Sequence, residues 1–367
     1  MLVYESNNIL YGSERECKRI NSKNDKIMRQ ITTYPYYEVN FLNLGDADCI
    51  ILAYQQNAMT PLRLALVDAG NVGDADAIRN EIWENWHRRD VDLAVLTHPY
   101  KDHKGGFFDL LRSPYFHIRE FWFAVPWMRH PTSENMYDLS IETPSIKESL
   151  HIYNHPTEDM NLYVILYRLQ DRGLIELKDA CQGLASSIMP LSVVGPTLDF
   201  ADRNAKIMVT DFKEISDDPQ MEDYVDDARL TEADAKSVID TEPDDTSATN
   251  MSSVMLLFNP GRKFLLLGDA SRAAINAVLE EGKVDLTHCV VKVPHHGSKH
   301  NLNTDLIDWL QPQQSAICCA GTKKHPNNSL VYWLSKYGNV YSTHKGEFYY
   351  HAGPSGSPAE PLKSKIQ

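Results

Sequence analysis

An apolar segment that ends in a run of ionisable residues places the strongest constraint on how this chain can fold. Residues 91–96 are short and rich in β-branched side chains, which predicts a buried strand. His98, Asp102 and His103 follow it, and the pair at 105–106, Gly-Gly, opens an apolar-periodic segment that predicts a helix. On a strand-to-helix turn these side chains would converge, and imidazoles with a carboxylate are typical of a metal site. A capped turn with incidental histidines is the alternative.

Strand and helix patterns recur in two similar series, one in each half of the chain. In the first half, apolar or alternating runs predict strands at 37–42, 49–54, 62–67 and 119–125, with a helix at 75–88. In the second half, similar runs predict strands at 253–258, 263–269 and 289–294, with helices at 272–281 and 329–336. Two βαβ-like halves that face each other would bring their polar strand ends to one edge. The fold class predicted is therefore α/β, with mixed sheets and helices packed outside them.

The ends of the chain and one internal segment have a different composition from this core. Residues 1–35 are polar and predict an N-terminal extension, and the Pro-, Gly- and Ser-rich residues 352–367 predict a disordered tail. Between them, 36–351 is predicted to be one domain with a lid-like insertion at about 127–249. The acidic part of that insertion, 211–245, is expected to be mobile or solvated.

The net charge of −14 would by itself argue against a nucleic-acid partner, because phosphate contacts need Lys and Arg. Residues 211–245, however, hold fourteen Asp or Glu against three Lys or Arg, a local net of −11. A nearly neutral body with an acidic appendage leaves a nucleic-acid or nucleotide substrate possible, and the appendage could also contact a protein partner. The sequence says nothing of oligomeric state.

The six cysteines and the apolar runs bear on the compartment. No Cys-x-x-Cys occurs, and Cys49, Cys289 and Cys318 fall within apolar strand-like runs, which indicates buried thiols in a reducing compartment. No run approaches a membrane span, and the first residues lack a signal-peptide pattern. A cytoplasmic protein without membrane partners is the expectation.

Four predicted strand ends carry ionisable residues: Asp68, the His98–His103 segment, Asp269, and the His295–His296 pair. Each alone is more often a satisfied histidine or turn chemistry. Together they supply mixed imidazole and carboxylate ligands, which suit zinc, manganese or iron. The prediction is a bound Zn²⁺ or Mn²⁺, as one or two ions.

Several segments, taken in chain order, resemble the metallo-β-lactamase superfamily. They are 43–46 (Asn-Leu-Gly-Asp), 67–70 (Val-Asp-Ala-Gly), 97–106 (Thr-His-Pro-Tyr-Lys-Asp-His-Lys-Gly-Gly), 267–269 (Leu-Gly-Asp) and 293–298 (Val-Pro-His-His-Gly-Ser). Within the superfamily, the soluble metallohydrolase domain of competence-type DNA-uptake proteins is the most similar, since its Asn-x-x-Ser and Gly…His-Pro elements are matched at 250–253 and 321–326. The resemblance covers roughly residues 36–350. It implies an αββα sandwich of two mixed sheets flanked by helices, with a metal site where the sheets meet.

The resemblance also implies roles for single residues. His98, Asp102 and His103 would be metal ligands, and Asp269 would bridge if two ions bind. His295 or His296 would be the late histidine ligand. Asp68 would orient the histidine segment instead of binding metal.

Tyr100 departs from the pattern of the superfamily. Most members have His at this position, and neutral tyrosine is a poor ligand for these metals. No recognisable motif supplies the middle histidine of the usual first site either. Asp102, His103, Asp269 and either His295 or His296 would together make a complete set of ligands for one ion. The His98 side would not have a complete set. Tyr100 is expected to lie beside the ligands without binding the metal.

The predicted function is a metal-dependent hydrolase, of the phosphodiesterase or nuclease kind. A bound ion would lower the pKa of a water to near neutrality and so give hydroxide at pH 7. Asp102 and His103 are the catalytic candidates, with Asp102 placed to orient that water. Two alternatives stay open: a lactone, thioester or cyclic-nucleotide hydrolase on the same fold, and a catalytically degenerate binding module, which Tyr100 motivates.

Four further residues are candidates for contact with substrate. Lys299 and His325 follow strand ends that face the same edge and could receive a phosphate, although a solvated basic loop is an equal alternative. Ser298 is expected to hydrogen-bond locally or contact a phosphate, not to act as a nucleophile. His344 occupies the position of a terminal active-edge segment in the resembling family.

Overall fold

Two β-sheets form the centre of the structure, a computed structural model that describes residues 31, 33–124, 162–211, 231–322, 324–351 and 361–363. The strands of the described part are β1 Tyr36–Phe41, β2 Ile50–Gln55, β3 Arg63–Val67, β4 Asp90–Val95, β5 His117–Phe123, β6 Glu176–Asp179, β7 Leu191–Gly195, β8 Met255–Phe258, β9 Phe264–Leu266, β10 Val290–Lys292, β11 Gln314–Ile317, β12 Asn339–Ser342 and β13 Phe348–His351. The first sheet has the order β13-β1-β2-β3-β4-β5-β6 and the second β12-β11-β10-β9-β8-β7.

The helices of the described part lie between these strands. They are α1 Ala75–Trp86, α2 Lys101–Arg112, α3 Leu162–Asp171, α4 Leu198–Asp211, α5 Glu232–Thr241, α6 Ala248–Met251, α7 Arg272–Glu281, α8 Thr304–Leu310 and α9 Asn328–Ser335. Both sheets are mixed, because β3 to β6 and β9 to β12 run parallel while β1, β2, β7, β8 and β13 pair antiparallel.

Buried apolar side chains fall into three layers that define an αββα sandwich. The inner layer joins the two sheets, with Phe41 and Trp122 from the first facing Phe264 from the second. The outer faces pack against helices, as Leu265 does toward Ile275 of α7. Neighbours such as Phe264 and Leu265 face opposite layers because side chains alternate along a strand. The predicted fold class is confirmed: two mixed sheets flanked by helices.

The parallel strands determine where the polar residues meet. β3 and β4 end just before Asp68 and the His98 segment, while β9 and β10 end just before Asp269 and the His295–His296 pair. Carboxyl ends of neighbouring parallel strands lie at one edge of a sheet, where ligands commonly bind. The two sheets therefore bring both sets of strand ends together, as expected from the similar series of strands and helices in the two halves of the chain.

Some local predictions differ from the structure. Strand β6 lies within the predicted lid-like insertion, where the sequence predicted no strand, and α2 begins at Lys101 instead of at the glycine pair. The acidic segment is not solvated throughout, because Ile239 is fully buried and Asp245 is only 1% exposed. The predicted extension and tail, and residues 125–161 and 212–230 of the predicted insertion, lie almost entirely outside the described residues, so these boundaries and the lid-like role stay predictions.

The sequence also predicted buried, unpaired cysteines and no membrane-spanning segment. Cys49, Cys289, Cys318 and Cys319 are free and buried, and Cys181 is free and partly buried. Within the part of the chain that the structure describes, no helix has both the length and the apolar character needed to cross a bilayer.

Candidate metal site

The first turn of α2 carries two of the predicted ligands. Asp102 and His103 lie inside the helix, after its N-cap residue Tyr100. The glycine pair marks close packing of the helix and not its start, because a Cβ on Gly106 would lie 2.1 Å from the carbonyl oxygen of Ala69. Only glycine lets this helix lie so close to the turn after β3. The helix thereby carries its first turn to the edge of the first sheet.

The second half of the site comes from the ends of β9 and β10. Asp269 follows β9, and His295 and His296 form a single 3₁₀ turn after β10 with φ of 47° and 53°. This left-handed backbone is unfavourable for residues with a side chain and is found mostly at functional sites. The turn is held where it is because the backbone N–H of His295 donates to Oδ1 of Asp269 at 3.2 Å.

Four residues, two from each half, place one potential ligand atom apiece within 4.8 Å of one another: Asp102, His103, Asp269 and His296. Nε2 of His296 lies 3.0 Å from Oδ2 of Asp102, and Nε2 of His103 lies 3.3 Å from the same oxygen. Oδ2 of Asp269 lies 3.4 Å from Nε2 of His103. Two imidazoles and two carboxylates suit zinc or manganese, and we call these residues the four-residue group.

Hydrogen bonds on the far side of each imidazole fix which nitrogen faces the group. Nδ1–H of His103 donates to Oδ2 of Asp68 at 2.8 Å, and Nδ1–H of His296 donates to the carbonyl oxygen of Cys318 at 2.8 Å. A carbonyl or carboxylate oxygen can only accept, so Nδ1 of each ring carries a proton, and the ring offers its Nε2 lone pair to the group once Nε2 is deprotonated. Asp68 therefore lies where the resemblance implied, behind the histidine.

Unsatisfied nitrogen atoms support the fit of a cation. Nε2 of His103 and Nε2 of His98 are buried and have no hydrogen-bond partner. A buried polar atom without a partner costs free energy, and such atoms in a folded protein call for an explanation. A divalent ion among the four-residue group would satisfy Nε2 of His103, so the residues present fit a bound metal.

His98 lies beside the four-residue group but outside it. Its Nε2 is 3.4 Å from Oδ2 of Asp269, the same oxygen that faces His103. Its Nδ1 contacts Oγ1 of Thr97 at 3.1 Å. Among the described residues, none of the clusters able to hold a metal includes His98. The role of His98 as a metal ligand therefore stays a prediction.

Tyr100, which departs from the pattern of the metallo-β-lactamase superfamily, contacts His98 and Ser247. Its ring lies edge-on to that of His98, with centroids 5.1 Å apart. Its hydroxyl shares a 2.7 Å hydrogen bond with Oγ of Ser247. Tyr100 thereby ties the start of α2 to the segment before α6.

Opposite charges set the protonation of the group in the metal-free protein. Burial alone would raise the pKa of both Asp102 and Asp269. His103 and His296 instead hold the pKa of Asp102 well below its usual range. His103 and His98 do the same for the pKa of Asp269. Burial alone would lower the pKa of His103, but Asp269 and Asp102 raise it well above its ordinary value. The carboxylates are thus ionised at neutral pH and attract a cation.

His295, the other candidate for the late ligand, points to a different set of partners. Its Nδ1 lies 3.3 Å from Oδ2 of Asp245 and 3.3 Å from Oδ1 of Asn301. Asp245 also accepts a 2.7 Å hydrogen bond from Asn250. Of the two histidines, His296 is therefore the one in the four-residue group, while His295 connects the site to the segment before α6.

The four predicted substrate contacts have different surroundings. Ser298 is fully buried and its Oγ accepts from the backbone N–H of His300 at 3.2 Å, which agrees with the local role predicted for it. Lys299 is buried and pairs with Glu242 at 2.7 Å, so a solvated basic loop is wrong for it. The ring of His325 lies 5.9 Å from those of His295 and His296, beside the group.

His344, the last of these candidates, is held by its own neighbours. Its Nδ1 contacts Oγ of Ser342 at 2.6 Å, and its ring packs so closely on Gly321 that a Cβ there would lie 2.5 Å from it. Burial lowers the pKa of His344. These contacts give it a packing role against the loop after β11.

Three residues of the site were missed in the sequence: Asp48, Asp245 and Lys292. Asp48 forms a second group of potential metal ligands with Asp68 and His103. Lys292 is 1% exposed and pairs with Asp48. A lysine within the apolar run Val-Val-Lys-Val was the available signal, since a buried cation needs a buried anion.

Comparisons with known proteins were made on the sequence and on the fold. No family model matches the chain, and no curated protein matches it. Among solved structures, the chain is similar to that of Igni18, described as a novel metallo hydrolase from the hyperthermophilic archaeon Ignicoccus hospitalis KIN4/I. The two share 10% sequence identity and a TM-score of 0.40 over 89% of this chain and 97% of that one.

Proposed function

We propose that this chain is a metal-dependent hydrolase that cleaves phosphodiesters, with nucleic acid or nucleotides as the substrate class. The observation that carries the proposal is the four-residue group, in which two carboxylates and two oriented imidazoles converge across the sheets and the Nε2 of His103 is buried without a hydrogen bond. Asp102, His103, Asp269 and His296 would hold one Zn²⁺ or Mn²⁺. His98 lies 3.4 Å from Oδ2 of Asp269 and would be a ligand if a second ion binds.

The chain's own residues suggest how hydrolysis would proceed. A bound divalent ion would supply Lewis-acid chemistry, polarising a phosphoryl oxygen and lowering the pKa of water. The side chain of Asp102 is 24% exposed and that of Asp269 only 2%. Asp102 can therefore both face the ion and meet solvent, where its carboxylate would orient the attacking water and pass its proton on to solvent. His103 and His296 are held by their Nδ1 bonds and would keep the ligand geometry fixed.

Two features favour a phosphodiester over a small neutral substrate. The sequence motifs resemble the soluble metallohydrolase domain of competence-type DNA-uptake proteins, and His325 adds an imidazole beside the group. The described acids of the 211–245 segment nearest the site are also largely neutralised within the protein. Asp240 pairs with Lys236, Glu242 with Lys299, Asp244 with two backbone N–H groups of α7, and Asp245 with His295. This part of the segment would therefore not repel a polyanion, whereas a lid that admits only small substrates would have to repel one.

The test combines metal content with hydrolysis. Protein reconstituted with Zn²⁺ or Mn²⁺ is incubated with single-stranded DNA, RNA and an activated bis-aryl phosphodiester, beside a lactone and a thioester. We expect cleavage of the phosphodiesters that is abolished by Asp102→Asn and unaffected by Asp109→Asn, a carboxylate at the other end of the same helix. Metal-loaded, folded protein that cleaves none of the phosphodiesters would contradict the proposal, and cleavage of the lactone or thioester alone would favour the other substrate class.

A further inference from the structure

A buried lysine lies directly behind the four-residue group. Lys292 ends β10, and its side chain is 1% exposed. Its ammonium donates to the carbonyl oxygen of Gly268 at 2.8 Å and pairs with the carboxylate of Asp48. Its Nζ is also 3.7 Å from Oδ1 of Asp269, the oxygen that faces away from His103. Lys292 thus contacts the segment that carries the Asp269 ligand.

Asp48, the partner of Lys292, lies in the loop between β1 and β2 of the first sheet. Its backbone N–H donates to the carbonyl oxygen of Asp102 at 3.1 Å, so it is fixed to the first turn of α2. Its carboxylate reaches both halves of the site, with Oδ2 3.9 Å from Nδ1 of His103 and Oδ1 3.6 Å from Nδ1 of His296. The ion pair therefore links the backbone that carries Asp102 to the backbone that carries Asp269.

The chemistry of this pair is unusual for a core. A buried ion pair can often be replaced by packed apolar residues without loss of stability, because removing two charges from water is costly. Burial alone would lower the pKa of Lys292, but Asp48 and Asp269 raise it, so the ammonium stays charged. Asp48, Asp68 and His103 resemble a metal cluster in composition, yet a cation, the ammonium, already lies against Asp48.

We propose that Lys292 and Asp48 form a brace between the two sheets that positions the halves of the four-residue group at metal-binding distance. The inference rests on the proposed metal site but not on hydrolysis. In it, the ammonium occupies the place of a cation at Asp48, so that metal binds at the four-residue group and not at the cluster of Asp48, Asp68 and His103. Lys292 and Asp48 are positioning residues, since they act on the ligands Asp102 and Asp269 through the backbone.

The brace can be separated from a simple core-filling role by changing its length or removing its charge. Asp48→Glu keeps the charge and lengthens one arm of the pair by a methylene. The double variant Lys292→Met with Asp48→Leu removes both charges and keeps the core apolar. A matched control is Asp92→Glu, because Asp92 is a buried carboxylate paired with Arg88 at 2.8 Å toward the other end of β4.

The experiment is a Co²⁺ titration of each full-length protein, read by the visible absorption spectrum of the ion and by calorimetry. We expect both brace variants to bind Co²⁺ at least about tenfold more weakly than the unchanged protein with an altered spectrum, as loss of an orienting partner costs about 10–100-fold. Asp92→Glu is expected to bind as the unchanged protein does. If the double variant does not fold, Asp48→Glu carries the comparison alone.

Two results would overturn the brace. One is a brace variant that folds and binds Co²⁺ within about twofold of the unchanged protein with the same spectrum, and the other is an unchanged protein that binds no Co²⁺ at all. An unchanged protein that binds Co²⁺ but hydrolyses nothing would refute the proposed function and leave the brace standing, because its readout is affinity and not turnover.

Discussion

Nε2 of His103 lies 3.4 Å from Oδ2 of Asp269, although one residue belongs to a helix on the first sheet and the other follows a strand of the second. The same carboxylate oxygen is equally far from Nε2 of His98. Asp269 is therefore the acid on which both imidazoles converge, and its other oxygen is occupied by the backbone N–H of His295.

Replacing Asp269 by Asn should remove most of the metal affinity. The amide has the same shape but no negative charge to offset two imidazoles and a cation. Since loss of an orienting partner alone costs about 10–100-fold in metal affinity, we expect Asp269→Asn to weaken Zn²⁺ binding by more than about 100-fold. Competition with a chromogenic chelator measures it. Asp285→Asn, at a largely exposed residue before β10, serves as the control, and equal affinities in the two variants would contradict the assignment.

The Tyr100–Ser247 hydrogen bond should contribute to stability and not to metal binding. Tyr100→Phe and Ser247→Ala each remove one partner, and the double variant completes a cycle. We expect a coupling free energy of about 0.5–1.5 kcal/mol from urea unfolding, the usual net value of one hydrogen bond. Zn²⁺ affinity of Tyr100→Phe should stay unchanged, whereas a marked loss would make the tyrosine a ligand.

Gly106→Ala should destabilise the protein even though alanine favours helices. At an open helical position the change would stabilise by about 1 kcal/mol. Here the new Cβ would lie 2.1 Å from the carbonyl oxygen of Ala69, which forces α2 away from the turn after β3. We expect a loss of about 1–3 kcal/mol in the free energy of unfolding, as for other overpacked sites. Asp109→Ala on the same helix is the control, and a stabilised Gly106→Ala protein would refute the packing described.

The stabilisation by metal should increase with pH. In the metal-free protein, burial would lower the pKa of His296, but Asp102 and Asp48 raise it. The pKa of His103 is likewise raised, by Asp269 and Asp102. Stability from these protonated rings is fully present below their unfolded pKa of about 6.5 and is lost as pH rises through the raised folded value. Metal requires the neutral rings, so its binding releases protons.

Thermal unfolding with and without Zn²⁺ from about pH 6 to about pH 8.5 tests this linkage. The rise in Tm caused by the ion should be smallest at the acidic end and grow toward the alkaline end. Asp269→Asn protein, with its site disabled, should show little rise at any pH. A rise that is constant across the range in the unchanged protein would mean that these histidines do not exchange a proton for the ion.

Much of the site was predictable because strand ends and motifs are local. Asp102, His103 and Asp269 each follow a recognisable apolar run, and a parallel sheet aligns such ends. The choice between His295 and His296 was not predictable, since it depends on two residues with positive φ and on which ring the carbonyl of Cys318 accepts from.

Other parts could not be predicted because they depend on contacts between distant residues. Asp48 and Lys292 meet only when the two sheets pack, and nothing in either segment names the other. The acidic segment suggested solvation by composition alone, yet Asp244 accepts from two N–H groups at the start of α7 and Asp245 binds His295. Composition reports how many charges a segment has but not which partners they find.

The contact between Asp102 and His296 joins residues 194 positions apart in the chain. Closing so long a loop costs entropy before any contact compensates it, so contacts of this kind form late in folding. A fragment that ends before His296 would hold only part of the ligands, however well its own sheet forms. Retention of a metal ion would therefore report that the whole sandwich has assembled. The fraction of chains without bound metal would then measure the fraction that is incompletely folded.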